Sequence, residues 1–279
     1  MDAGGGFAAA TALRRVGDGE GVGDGEGVGD GEYEGEILEG WDIVGNTDGG
    51  YLLAIAGRAL ALATGRPDPI AVSGHYLSPG RAGPVRVQVE LLKAGKRFST
   101  ASARLIAGDR TLLSVVGTLG ELDDSSEALH ADGTAPALPP PDDCVRLVGT
   151  DSFPPPFMDR VDVRLHPDDA GFVRGAPTGS PRLRGWFRLL EGEPVDPLAL
   201  LLAVDSFPPT IFNADLPVSW SPTVELTAHL RAHPAPGWLA CDYRTRFISG
   251  GFLEVDGEVW DATGALVAQS RQLALVPRG

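Results

Sequence analysis

Cysteine is scarce in this chain, and its placement argues against a metal site. The 279 residues include only Cys144 and Cys241, which lie far apart and form no zinc-binding spacing. Two distant thiols predict reduced cysteines in a cytoplasmic protein. The zinc motif H-E-x-x-H is also missing, because no glutamate lies between His229 and His233. We therefore expect neither a metal nor another cofactor.

Positive charge and long apolar runs are also in short supply. The chain has 23 Lys and Arg residues against 38 Asp and Glu residues, a net charge of −15. This balance disfavours binding to nucleic acid or to an anionic membrane by charge. The best apolar run, residues 198–204, is far too short to span a bilayer. Near the N-terminus, an apolar run precedes the arginines, the reverse of an export signal.

An acidic tandem repeat occupies residues 16–32, which read VGDGEG-VGDGEG-VGDGE. A single Gly-Asp-Gly-Glu suits a hairpin turn, because Asp-Gly favours the positive φ that such turns require. Extra copies lengthen the loop at little entropic cost. A calcium-binding loop is the weaker alternative, since calcium repeats have a period of nine residues. We interpret the segment as a hairpin or disordered loop between two strands.

The rest of the chain shows helix and strand patterns in a repeating order. Residues 46–65 carry an apolar helical stripe, with Asp48 as the cap and Gly65 as the stop. Four strands follow, up to residue 119, and three of them show period-two alternation. Residues 123–147 are acidic and proline-rich, as in a linker. Then strands, one helix over 196–207 and four more strands complete the chain.

The two halves align at a constant offset of 154 residues. Strand follows strand without a gap, and four identities mark the alignment: His75 with His229, Gly83 with Gly237, Phe98 with Phe252, and Leu112 with Leu266. We predict an N-terminal domain over 1–122, a linker over 123–147 and a C-terminal domain over 148–279. The fold class is α+β: a double hotdog, with two antiparallel sheets that each wrap one central helix.

Several segments carry a resemblance to a known family. The runs NTDGGYLLAIAGRAL, SGHYLSPG, LKAGKRFSTASARL, TVELTAHLRAHP and GALVAQSRQLALV resemble acyl-CoA thioesterases of the thioesterase II type, the double-hotdog branch. The resemblance covers nearly the whole chain except the tandem loop and the linker. It implies hydrolysis of fatty acyl-CoA to free acid and CoA, without a metal or a covalent intermediate.

The resemblance also implies the residues that hold the attacking water. In that family an acid, a hydroxyl residue and a glutamine share this task. Alignment places Glu225 at the acid position and Gln272 at the glutamine. The hydroxyl position falls on Arg244, which implies either that its neighbour Thr245 takes this role or that the active site is weaker and different. A solvated carboxylate and a surface glutamine are the structural alternatives for Glu225 and Gln272.

Four further residues are candidates for substrate binding. Gly49 and Gly50 open the first helix, where unpaired backbone amides and the helix dipole favour a developing oxyanion; alternatively, they only form a tight turn. Arg244 lies on the polar face of its strand and would pair with Asp242 or a CoA phosphate. His75 precedes a turn, although a strand histidine is more commonly structural.

Competing functions are constrained by motifs that the chain lacks. It has no G-x-S-x-G elbow, which argues against a serine α/β-hydrolase. It also has no Asp and His five residues apart, the pattern that hotdog hydratases resemble, which argues against hydratase chemistry. The alternative of another class is a non-catalytic acyl-CoA-binding or scaffold protein on the same fold. The expected partner is acyl-CoA; a homodimer of double hotdogs is left open.

The exact repetition of the tandem segment makes it testable. Deleting residues 17–28 removes two whole repeats and leaves one Gly-Asp-Gly-Glu turn. We expect the melting temperature and thioesterase rate to change little, because the segment has low complexity. Thermal melting and acyl-CoA hydrolysis of both proteins check this. A large loss of either would mean that the loop packs or binds something.

Overall fold

A computed structural model describes residues 6–16, 28–123, 128–151, 153–214, 216 and 219–277. Most of the predicted repeat loop, residues 17–27, lies outside this part of the chain. Its flanks pair as antiparallel strands, with Arg14 opposite Glu34. The two strands that were predicted to flank the loop are therefore confirmed.

Helices are few, and strands make up most of the regular structure. The α-helices are α1 (Phe7–Ala10), α2 (Gly49–Thr64) and α3 (Pro197–Ala203). Short 3₁₀ turns cover Pro141–Asp143, Pro156–Asp159, Pro167–Asp169, Gly171–Arg174, Leu190–Gly192 and Thr210–Asn213. The strands are β1 (Leu13–Arg15), β2 (Gly31–Ile37), β3 (Asp42–Ile43), β4 (Asn46–Thr47), β5 (Asp68–Tyr76), β6 (Gly83–Lys93), β7 (Ser99–Ala107), β8 (Arg110–Gly120), β9 (Val145–Arg146), β10 (Val161–Leu165), β11 (Arg182–Leu189), β12 (Thr223–Leu230), β13 (Leu239–Arg244), β14 (Ile248–Ser249), β15 (Phe252–Trp260) and β16 (Leu266–Leu275).

One antiparallel sheet runs through both halves of the molecule. Among the described residues its order is β1-β2-β6-β7-β8-β5-β12-β16-β15-β13-β11-β10-β9, with β14 added on β15. We predicted one sheet for each half; in the described residues both halves share one sheet, because β5 of the first half pairs with β12 of the second, and β3 and β4 form a separate two-stranded sheet. This pairing satisfies the backbone groups of two strands that would otherwise be exposed edges.

The repeated order predicted from the 154-residue offset is confirmed. From the central β5–β12 pair outward, the first half runs β5-β8-β7-β6-β2 and the second half runs β12-β16-β15-β13-β11. The two sequences of strands correspond one to one. The halves therefore face each other like the subunits of a symmetric dimer.

The first helix has the predicted start and stop. The Asp48 carboxylate accepts a hydrogen bond from the Tyr51 amide at 2.8 Å, and Gly65 ends the helix with a φ of 61°. Helix α2 packs on β5, β6, β7 and β8, and also against α3. No helix in the described part of the chain is long and apolar enough to cross a membrane.

The second helix is shorter than its sequence pattern predicts. The pattern covers 196–207, whereas α3 ends at Ala203 and contacts α2, β5 and β12. The residues after Ala203 leave the helix beside the start of α2. The end of the predicted linker also joins the fold: β9 pairs with β10, and the Trp186 indole donates to the Pro139 carbonyl at 2.9 Å.

The two helices approach so closely that glycine is required at the contact. A methyl group at Gly50 would lie 2.9 Å from the Leu202 carbonyl oxygen and 3.0 Å from that of Leu201. A methyl group at Gly57 would instead meet the flexible end of the Leu201 side chain at 2.7 Å. Backbone atoms cannot give way as a leucine methyl can, so Gly50 is the tighter constraint.

This difference predicts unequal effects of the same substitution. Alanine is the better helix former, so helix propensity alone would make both changes stabilising. We expect Gly50→Ala to lower the free energy of unfolding by ~1–3 kcal/mol, because it overpacks backbone against backbone. Gly57→Ala should cost less. Denaturant unfolding of both variants measures the difference; equal stabilities would contradict the backbone contact.

Candidate active site

A cavity of ≈ 850 Å³ lies where the start of α2 meets the end of α3 and strands β12 and β16. Its walls are largely apolar and include Leu52, Phe157, Met158, Phe207, Leu253 and Leu275. Asp205, Thr223 and Gln272 supply polar groups to the same lining. An apolar cavity with a few converging polar groups is typical of a small-molecule site.

The three polar residues form one hydrogen-bonded group. The Gln272 amide nitrogen donates to Asp205 Oδ1 at 2.8 Å and to Thr223 Oγ1 at 2.6 Å. Each residue comes from a different element: Asp205 follows α3, Thr223 begins β12, and Gln272 lies on β16. Because Gln272 bonds to both partners, it fixes the carboxylate and the hydroxyl relative to each other.

An irregularity in β12 turns Thr223 toward the cavity. Thr223 pairs with Ala274 and Glu225 with Leu273, so the register shifts by one residue between them. Such a bulge places two residues of one strand against one of its partner. Thr223 consequently shares the inner face with Gln272 and the buried Leu226, although its number has the parity of the outer face.

Burial gives Asp205 the character of a base near neutral pH. Its carboxyl group is enclosed, and this burial raises the pKa to about 7. The hydrogen bond from Gln272 and the Gly50 amide oppose the rise, since both favour the charged form. A carboxylate of this kind takes up a proton more readily than an exposed aspartate does.

The start of α2 forms the side of the site that faces Asp205. Gly49 lines the cavity, and a methyl group there would lie 2.5 Å from Asp205 Oδ2. The Tyr76 hydroxyl donates to the Gly49 carbonyl at 2.9 Å and fixes this turn. Gly50, in contrast, faces the backbone of α3. The glycine pair therefore makes room for both Asp205 and the second helix.

The structure does not bring Glu225 and Gln272 together as the sequence predicted. Glu225 lies on the outer face of the sheet, where its carboxylate accepts from Ser73 at 2.8 Å and from Thr227 at 2.5 Å. Gln272 lies on the inner face, opposite Leu226. Because alternate residues of a strand point to opposite faces, the two side chains cannot share a water.

Thr245, Arg244 and His75 also lie away from the cavity lining. The buried Thr245 hydroxyl bonds to Thr210 Oγ1 and to the Glu254 carbonyl, each at 2.7 Å. Arg244 and His75 are exposed strand residues and are not part of the lining. Asp242, the predicted partner of Arg244, forms its ion pair with Arg182 instead.

Sequence reasoning missed Asp205 and Thr223. Asp205 was included in the predicted helix, yet it follows the helix and faces the cavity. Its position after a buried apolar helix and before Pro208 and Pro209 was the available signal. Thr223 begins the strand that was correctly assigned, but a bulge leaves no clear mark in one sequence.

The described residues offer no cluster of three or more His, Cys, Asp or Glu side chains that could hold a metal ion. The candidate site is therefore built from a carboxylate, a hydroxyl, an amide and the start of a helix.

Comparison with family models identifies both halves of the chain. Residues 37–120 match the model described as the acyl-CoA thioesterase N-terminal domain. Residues 141–276 match the acyl-CoA thioesterase C-terminal domain. The two matches cover most of the chain and leave out the tandem loop and most of the linker.

Known proteins of similar length resemble the whole chain. An uncharacterised protein of Mycobacterium tuberculosis is 32% identical, over 97% of this chain and 98% of its own length. A structure from Thermobifida fusca, provisionally described as a thioesterase II, is 36% identical with a TM-score of 0.84, over 98% of this chain and 97% of that one. A hot dog fold protein of unknown function from Alicyclobacillus acidocaldarius is 22% identical with a TM-score of 0.80, over 98% of both chains.

The similarity to the Alicyclobacillus acidocaldarius protein shows the hotdog fold alone, whereas the family models match the sequence of both halves. The chain belongs to the acyl-CoA thioesterase family.

Proposed function

We propose that this protein is a double-hotdog enzyme that hydrolyses fatty acyl-CoA to free acid and CoA at the cavity beside Asp205. The observation that carries the proposal is the Asp205–Gln272–Thr223 group in the wall of an apolar cavity. Family membership supplies the reaction class. The residues that perform it are inferred from the geometry of this chain.

Asp205 would act as the general base. Thioester hydrolysis requires a water to lose a proton as it attacks the carbonyl carbon. The carboxylate of Asp205 accepts that proton, and Gln272 holds the carboxylate in place. Thr223 Oγ1 accepts a hydrogen bond from Gln272. Its own hydroxyl proton is therefore free to donate a hydrogen bond to the oxygen of the attacking water.

The start of α2 would stabilise the negative charge that develops on the thioester oxygen. Helix α2 is sixteen residues long, and the positive end of its dipole points at the cavity beside Gly49. With no side chain at Gly49, a carbonyl group can approach the backbone closely. The C–S bond then breaks and CoA leaves as the thiol, with the proton returned from Asp205. The apolar walls would hold the acyl chain.

Two substitutions and their double variant test this assignment. Asp205→Asn preserves shape and removes the base, so kcat should fall ~10²–10⁴-fold while acyl-CoA affinity changes little. Gln272→Ala should act in the same direction, and the double variant should lose less than the product, since both residues serve one water. Release of CoA, followed with a thiol reagent, measures the rate.

Glu225→Gln is the matched control for this set. It removes a half-buried carboxylate from the outer face of the same sheet, and we expect the rate to be retained. Loss of rate in Glu225→Gln with an active Asp205→Asn would overturn the assignment. Binding of acyl-CoA without any turnover by the parent protein would instead identify a non-catalytic acyl-CoA-binding protein.

The pH dependence follows from the state of Asp205. The base works only when it is deprotonated, and burial raises its pKa to about 7. We therefore expect kcat/KM to increase as pH rises through about 7 and to level off above it. Initial rates from pH 5 to 9, corrected for uncatalysed hydrolysis, check this. A rate that is already constant from pH 5 upward would show that no such base operates.

A further inference from the structure

A second carboxyl group lies buried at the same helix start as Asp205. Asp48, the capping residue of α2, is 0% exposed. One of its oxygens, Oδ1, accepts from the Tyr51 amide at 2.8 Å. The other, Oδ2, is buried and has no hydrogen-bond partner among the described residues. Gly49 and Gly50, which directly follow Asp48 in the chain, lie against Asp205.

No cation in the described part of the chain balances the two carboxyl groups. Neither forms an ion pair with a described Arg, Lys or His side chain, and only amide groups favour their charged forms. The positive end of α2 carries roughly half an elementary charge, enough to favour one anion but not two. Asp48 is fully buried and Asp205 partly buried, so the two neighbouring groups cannot both ionise without a large cost, and the pair retains one proton.

Hydrogen bonding decides which group keeps that proton. Both groups lie close to the Gly50 amide, and each also receives one amide hydrogen bond, Asp205 from Gln272 and Asp48 from Tyr51. Asp48 has one buried oxygen without a donor, which an anion would need. Asp48 also lies behind the cavity lining, whereas Asp205 belongs to it.

We propose that Asp48 is a neutral carboxylic acid in the working protein, a positioning residue that leaves Asp205 as the single anion at the start of α2. The catalytic part of this inference rests on the proposed function. If Asp48 were charged, its carboxylate would oppose the negative charge that develops on the thioester oxygen beside the same helix start.

The other titratable groups near Asp48 are consistent with this assignment. Tyr76 of β5 is partly buried, and desolvation together with the charges of Asp205 and Asp48 raises its pKa well above the usual value. Tyr76 is therefore neutral across the working range. Burial and the neighbouring Asp205 likewise raise the pKa of Asp48 well above its usual value. The charge of Glu225, on the outer face, also raises the pKa of Tyr76.

Thermal stability gives a test that needs no enzyme activity. A native Asp48 that holds its proton loses it on unfolding, so rising pH favours the unfolded chain. The effect begins near the unfolded aspartate pKa of about 4. Asp48→Asn keeps a good helix cap and removes this penalty. We expect its melting temperature, relative to the parent, to increase between pH 5 and 8 by up to roughly 3–5 °C per pH unit.

Asp196→Asn is the matched control. Asp196 caps α3 through the Ala199 amide at 2.7 Å but is exposed, so its substitution removes a cap carboxylate without the burial that distinguishes Asp48. Asp48→Ser also keeps a helix cap without a carboxyl group. It controls for any effect that is specific to the asparagine side chain. A pH-independent difference for both Asp48 variants would overturn the proposal, because Asp48 would then carry charge like an exposed cap.

Rate measurements complete the test. Asp48→Asn imitates the neutral acid, so we expect it to keep most of kcat and the same rise through about pH 7, whereas Asp205→Asn loses both. A loss in Asp48→Asn as large as that in Asp205→Asn would also overturn the proposal, since it would make the Asp48 anion essential. If the parent hydrolyses no acyl-CoA, the proposed function fails and the melting experiment still decides the state of Asp48.

Discussion

The close contact between the first turn of α2 and the end of α3 determines the rest of the site. Without side chains at Gly49 and Gly50, the two helices approach to backbone contact, and Asp205 emerges beside the helix start. The cavity, the hydrogen bonds of Gln272 and the burial of two carboxyl groups all follow from this approach. Glycine costs helix stability, yet here it lets one helix end meet another where a larger residue would separate them.

Much of the fold was predictable because local physical rules determine it. The Asp48 cap, the Gly65 stop and the alternating strands depend on neighbouring residues in the sequence, and the structure shows each of them. The order of strands in the repeat was also readable, since both halves carry the same pattern. The pairing of β5 with β12 could not be read in the same way. Two separate sheets and one continuous sheet require the same alternation of apolar and polar residues along each strand.

The candidate site was less predictable because it depends on features that single sequences hide. Gln272 was found through resemblance and regular alternation. Thr223 needs a bulge that reverses the expected face, whereas Glu225 lies on the outer face by regular alternation with the buried Leu226. Asp205 needs the early end of α3, where the apolar pattern continues but the helix does not. In each case tertiary packing overrode a regular period, and it did so at the polar residues of the cavity.

A sheet that joins two related halves within one chain has a consequence for how such a protein can change. In a homodimer, every substitution appears twice and must be tolerated at both symmetric positions. Here the central β5–β12 pair preserves the dimer-like arrangement, while each half has its own copy of every position. One helix could thus remain long and the other shorten to seven residues. Because the halves vary independently, the second half carries Asp205, Thr223 and Gln272 while the first contributes the start of α2 to the same cavity.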